Sequence, residues 1–165
     1  MDVSEYIKRL YGAFAEAPRP SEKEVTPHRC GECDEVAARL APHEHDAVPV
    51  ADMYWLGDSL PLLSPKAFRY YLPSFVAFCL THRDSSVDAL INYNLAPSAS
   101  LDEGERDRFG YFSPSERQVI AEFVEHRSKM DGAEFDRQYL EKATQYWSAT
   151  SEKSLEAHTC LRDKK

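Results

Sequence analysis

The chain contains none of the short motifs that usually announce small-molecule chemistry. No Gly-x-Gly-x-x-Gly, Walker-type phosphate loop, Gly-x-Ser-x-Gly or His-Glu-x-x-His occurs in it. The common sequence routes to a dinucleotide enzyme, a nucleotide hydrolase, a serine hydrolase or a zinc protease are therefore closed. Six glycines in 165 residues are too few for a phosphate-cradling loop with others to spare. Long apolar runs are also missing. The longest, Phe75–Leu80, is far short of the roughly 20 residues a membrane-spanning helix needs. Basic excess is absent too, and with it the cationic face that a nucleic-acid binder needs to displace counterions. No segment alternates in the manner of a half-buried strand, and no fixed-period repeat is present.

What is there suits one folded domain. Apolar residues make up 42% and aromatics 12% of the chain, and a domain of about 150 residues buries roughly 70% of its unfolded surface. The N-terminus, Met1 to Leu10, carries an acid at Asp2 and no apolar core, so it does not read as a secretory signal. The expectation is a cytoplasmic protein whose four cysteines, Cys30, Cys33, Cys79 and Cys160, stay reduced.

Helical stripes recur along most of the length. Val3, Tyr6, Ile7, Leu10, Phe14 and Ala17 lie at three- and four-residue steps, capped by Asp2 and ended by Pro18 and Pro20. Ser21–His28 reads as a charged linker, and about Cys30–Leu40 as a short helix on Val36, Ala37 and Leu40. Pro42–Pro49 is a loop; Val50–Leu56 is extended or a single turn, any extended piece lying near Val48–Tyr54. Ser64-Pro65 opens a central helix whose Phe68, Tyr71, Leu72, Phe75, Val76, Cys79 and Leu80 cover most of its circumference, the mark of an element surrounded by neighbours. Pro73 has no amide hydrogen to offer Arg69, which predicts a kink or break there. A helix over Ser85–Leu95, a polar connection over Pro97–Gly110 and a Ser113-Pro114-Ser115-Glu116 capping box follow. The box starts a helix on Val119, Ile120, Phe123 and Val124, and a last helix buries Phe135, Tyr139, Leu140, Ala143, Tyr146 and Trp147. The pattern specifies an all-α fold: a single-domain irregular bundle of about five to seven helices around a proline-kinked central helix. Residues 1–150 form the domain, and 151–165 form a C-terminal tail that frays.

One cluster carries coordination or redox chemistry. His28, Cys30 and Cys33 place three soft ligands within six residues, and a Cys-x-x-Cys at a helix start presents both sulfurs to one side. A closed zinc site needs a fourth ligand; the candidates are His43 and His45, with His45 completing the set His28, Cys30, Cys33 and His45. A redox reading meets two objections. The pair follows the polar run Ser21–Pro27 rather than a buried strand, and Glu32, Asp34 and Glu35 beside it oppose thiolate formation, although a helix N-terminus favours it. The plain alternative is a pair of packed cysteines at the head of a helix, reduced and inert.

Charge is uneven. Gly31–Asp58 holds seven carboxylates against Arg39 alone, so six of the chain's net eight negative charges lie in one sixth of its length. A basic protein partner would be steered to such a segment, although charge blocks commonly serve only as solvated faces. Arg69, Tyr70 and Tyr71 either line an anion pocket at the helix bend or belong to the core, and their helical spacing favours the core.

Taken together, His28-x-Cys30-x-Glu32-Cys33, the Leu62-Leu63-Ser64-Pro65 and Arg69-Tyr70-Tyr71-Leu72-Pro73 helix, and Phe112-Ser113-Pro114-Ser115-Glu116-Arg117 resemble a family of small uncharacterised bacterial proteins, a domain of unknown function. The resemblance spans about Pro27–Val124. It implies a bacterial cytosolic source and brings no catalytic residues. Two functional expectations follow from the residues. The first is a non-catalytic interaction or accessory protein, of immunity or inhibitor type, that uses its acidic surface. The alternative is a zinc-binding or thiol-dependent enzyme centred on Cys30 and Cys33. The expectation is that no cofactor is bound, zinc being the one candidate.

Overall fold

Glu116 and Arg69 form an ion pair within a bundle whose described elements are all helical. The computed structural model describes residues 2–82, 85–98, 103–130 and 136–162, and no strand occurs among them. The elements are α1 (Val3–Ala13), α2 (Gly31–Leu40), α3 (Val50–Leu56), α4 (Pro65–His82), α5 (Ser85–Leu95), α6 (Glu103–Gly110), α7 (Pro114–Ser128) and α8 (Arg137–Arg162). Short 3-10 turns lie at Glu22–Glu24 and Gly57–Leu62.

The count exceeds the sequence expectation because two segments without a helical stripe are helices. Val50–Leu56, read as extended or a turn, is α3, and only Met53 and Leu56 of its residues are buried. The supposed connection Pro97–Gly110 contains α6, whose sequence EGERDRFG offers just Phe109 to the core. Both helices are short enough that tertiary contact rather than periodicity sustains them. Phe135, expected in the core, lies outside the described residues.

α4 is the spine. Twelve of its 18 residues are buried, including Pro73, and it runs from Pro65 to His82 without a break. The lost hydrogen bond and ring clash of a mid-helix proline cost about 3 kcal/mol. Burial of each large apolar side chain offsets about 1.5–3 kcal/mol, and α4 buries Phe68, Tyr70, Tyr71, Leu72, Phe75, Val76 and Phe78. Packing outweighs the proline, so the helix continues through it. Ser64 caps the start as expected, its Oγ accepting from the Ala67 amide at 3.1 Å.

One ion pair fastens α7 to this spine, and further contacts join α5, α7 and α8 to one another. The predicted capping box forms: Ser113 Oγ accepts from the Glu116 amide at 3.3 Å, and the Glu116 carboxylate accepts from the Ser113 amide at 2.6 Å. Glu116 is only 1% exposed, and Arg69 Nε donates to both its oxygens at 3.0 Å. Near the far end, Arg127 of α7 pairs with buried Asp88 of α5 at 2.8 Å. Trp147 of α8 is fully buried and donates to the Leu95 carbonyl at 2.9 Å. Its ring meets Phe109 and Phe112 edge-on, each at 5.4 Å, an arrangement favoured by the ring quadrupoles.

The stretch before α2, read as a linker, is anchored instead. Val25 is fully buried and its carbonyl accepts from the Ser64 amide at 2.9 Å. Ser64 Oγ donates to the Glu24 carbonyl, and Lys66 reaches the Glu24 carboxylate at 2.9 Å. These bonds join the approach to α2 to the first turn of α4.

Arg69→Met leaves the Glu116 charge buried without its partner, so it should lower unfolding stability by about 3 kcal/mol or more. The Arg69→Met/Glu116→Gln double variant should recover part of that loss. Urea unfolding checks both; a single-variant loss under about 1 kcal/mol would place the pair with exposed ion pairs and refute its central role.

Candidate thiol and imidazole site

The N-terminus of α2 assembles the cluster. Cys30 is the N-cap, with extended torsions φ −158° and ψ 168°, and its Sγ accepts from the Cys33 amide at 3.4 Å. Cysteine here takes the place usually held by serine or aspartate. Cys33, three residues on, turns inward with Val36, Ala37 and Leu40 and is fully buried. His28 approaches from the preceding turn, where the Thr26 hydroxyl donates to the His28 carbonyl at 3.2 Å. Its Nδ1 lies 3.0 Å from Cys33 Sγ. The three ligand atoms all fall within 4.8 Å of one another.

The two thiols are electrostatically unequal, which the sequence alone did not separate. The Cys33 amide and side chain hold the Cys30 thiol below its ordinary pKa, and the Glu32 amide adds to this, against burial and the Glu32 charge. Burial pushes Cys33 up to about 11, reinforced by hydrogen bonding to Cys30 and by the charges of Cys30, Glu32 and Asp34. Of the two opposed influences, the helix N-terminus prevails at Cys30 and the neighbouring carboxylates do not. Backbone amides at the helix start outweigh them. Part of the acid is also neutralised, since Arg29 donates to Asp34 at 2.9 Å across the same turn.

His45 is not brought to this group. The sulfurs sit at the start of α2, whereas residues 43–45 follow its end, and ten helical residues span about 15 Å. The intervening backbone is fastened: Arg19 donates to the Ala41 carbonyl at 2.7 Å, and Tyr71 Oη donates to the Leu40 carbonyl at 2.9 Å. The His45 ring stacks on Tyr11 at 5.6 Å and meets Tyr70 edge-on at 5.1 Å. The His43 carbonyl accepts from Arg19 and Tyr71. Among the described residues, His28, Cys30 and Cys33 are the one His, Cys, Asp or Glu group arranged to hold an ion.

The other candidates are structural. Arg69 serves Glu116, Tyr70 donates to Glu44, and Tyr71 secures the loop after α2. Cys79 is buried on α4. In the acidic segment, arginines hold four of the seven carboxylates: Arg29 takes Asp34, Arg39 takes Glu35 and Asp52, and Arg19 takes Glu44. Two of those arginines lie outside the segment, so counting within it overstated its free charge. A surface cleft of about 750 Å³ lies at Arg19, Ser21, Glu24 and Pro42, and another of about 420 Å³ at Tyr93, Arg108 and Tyr139; neither includes the thiols.

The chain belongs to the family of unknown function DUF6714, whose model matches residues 4–151. No curated protein and no solved structure matches it. No helix among the described residues is long and apolar enough to cross a membrane.

The difference between the thiols is measurable. A lowered pKa gives Cys30 more thiolate at neutral pH than a free cysteine has, so iodoacetamide should modify it first in reduced, metal-free protein. Its rate-pH profile should have a midpoint below that of a free thiol. Cys33 should resist until the protein unfolds. Peptide mapping that finds both sites modified at equal rates in the folded state would contradict this assignment.

Proposed function

We propose that this protein binds a soft or borderline divalent metal ion, zinc in the first instance, through Cys30, Cys33 and His28. The proximity of the three ligand atoms carries the reading. A tetrahedral zinc with sulfur at 2.3 Å and nitrogen near 2.05 Å sets its ligand atoms about 3.5–3.8 Å apart. The Cys33–His28 separation is 3.0 Å and no pair exceeds 4.8 Å, so side-chain adjustment reaches that geometry. Two sulfurs and an imidazole favour zinc over magnesium or calcium, which take oxygen ligands. Three protein ligands leave one coordination position for water or an incoming ligand, as catalytic zinc sites do.

Binding must displace the Cys33 proton, because the metal takes a thiolate and this thiol is held well above neutrality. Zinc affinity should therefore fall as pH is lowered, and calorimetry in buffers of different ionisation enthalpy should register proton release. Reduced protein should take up one equivalent of zinc, and cobalt(II) should produce a thiolate charge-transfer band. Cys33→Ser and His28→Ala should each weaken binding by about tenfold or more. Absence of that band at excess cobalt would end the metal reading.

A second reading, an interaction protein of immunity or inhibitor type for a basic partner, draws on α3. Val50, Tyr54 and Trp55 are 44%, 51% and 38% exposed on this short helix, inside the acidic segment. Aromatic side chains in such a setting are typical interface anchors. A photo-crosslinker at Tyr54 should capture a basic protein in the native host, with capture reduced by Trp55→Ala. Equal capture by the variant would remove this reading.

A further inference from the structure

The same three residues support a second chemistry that needs no metal. We infer that Cys30 and Cys33 form a dithiol that exchanges with small neutral or cationic disulfides, with Cys30 attacking, Cys33 resolving and His28 accepting the Cys33 proton.

Access decides the order of events. Cys30 is exposed, whereas Cys33 is fully buried, so an incoming disulfide reaches Cys30 first. Distance makes the second step intramolecular. The two sulfurs already lie within 4.8 Å, and rotation of the exposed Cys30 side chain closes that gap towards the roughly 2 Å of a disulfide bond. His28 supplies what a buried resolving thiol otherwise lacks, a proton acceptor, with Nδ1 at 3.0 Å from Cys33 Sγ.

The exchange balances. The Cys30 thiolate attacks one sulfur of R–S–S–R, forming a Cys30–S–S–R bond as one R–S⁻ leaves. Cys33 then passes its thiol proton to His28 Nδ1 while its sulfur attacks the Cys30 sulfur. The Cys30–S–R bond breaks, and the second R–S⁻ leaves and takes up the proton from His28. The first R–S⁻ takes from solvent the proton that Cys30 released on ionising, so the protein dithiol loses two electrons and the small disulfide becomes two thiols.

Local charge sets the substrate class. Around the thiols Arg29 engages Asp34 and Arg39 engages Glu35, which leaves the Glu32 carboxylate in excess. The excess negative charge repels an anionic disulfide and attracts a cationic one. Cystamine should therefore react faster than oxidised glutathione at low ionic strength, and added salt should narrow the difference.

The test uses the full chain, reduced and freed of metal, in a Cys160→Ser background, with cystamine as the probe and acid-quenched mass spectrometry as the readout. Wild-type Cys30 and Cys33 should end as an internal disulfide with no cysteamine retained. Cys33→Ser should keep one cysteamine on Cys30, and Cys30→Ser should react about tenfold more slowly or worse. His28→Gln should acquire the adduct at the unaltered rate but resolve it slowly, so the adduct accumulates transiently; a structural role for His28 would not separate these two steps. Circular dichroism establishes that each variant is folded. Cysteamine retained on Cys30 in the wild type, or an undiminished rate in Cys30→Ser, would overturn the exchange. If zinc binds but the adduct persists, only the exchange falls; if the internal disulfide forms but no metal binds, only the metal reading falls.

Discussion

A carboxylate at 1% exposure is stable as an anion only if something replaces the water it has lost, and for Glu116 that is Arg69. The guanidinium presents two nitrogens to the carboxylate, the geometry in which arginine pairs most strongly. The same carboxylate completes the capping box of α7 by accepting from Ser113. One side chain thus starts a helix and fastens it to the spine. Arg117, beside it, donates to the Phe112 and Phe109 carbonyls and lies over the Trp147 ring at 5.6 Å, which ties the end of α6 and the aromatic centre to the same turn.

The metal and thiol chemistry depends on this frame at one remove. α4 holds the stretch before α2 through Ser64 and Lys66, and it holds the stretch after α2 through Tyr70 and Tyr71. α2 is therefore fastened at both ends to one rigid helix, and its N-terminal turn presents Cys30 and Cys33 from a fixed base. The residues on which the family resemblance rests divide along the same line. Ser64, Arg69, Tyr70, Tyr71, Ser113, Glu116 and Arg117 make the scaffold, and His28, Cys30 and Cys33 alone carry groups suited to coordination or sulfur chemistry.

Within that turn, competition between backbone dipoles and side-chain charge sets the character of each sulfur. Cys30 faces outward and accepts from amides of the first helical turn, so the amides dominate. Cys33 faces inward, where loss of water dominates and the adjacent negative charges add to it. Two cysteines three residues apart thereby acquire opposite shifts. That division of an accessible sulfur from a buried one beside an imidazole suits both metal capture and disulfide exchange.

Much of this was legible in the amino-acid order. The stripes of α1, α4 and α7, the Asp2, Ser64 and Ser113 caps, and the closeness of Cys30 to Cys33 all arise from neighbours within four residues, where helical periodicity governs which side chains meet. Other features were decided only by the tertiary structure. Arg69 and Glu116 are 47 residues apart, and no period links them. α3 and α6 have too few apolar positions to register as helices without their neighbours. His45 was available for the metal site by composition, yet the ten residues of α2 and the aromatic rings of Tyr11 and Tyr70 hold it elsewhere. The sequence by itself determined the local geometry of helices, caps and paired thiols, because those interactions are short in chain distance. Only the tertiary structure decided which charges are buried together, which sulfur is exposed and which histidine stands beside it, because desolvation and long-range pairing exist only once the chain has closed on itself.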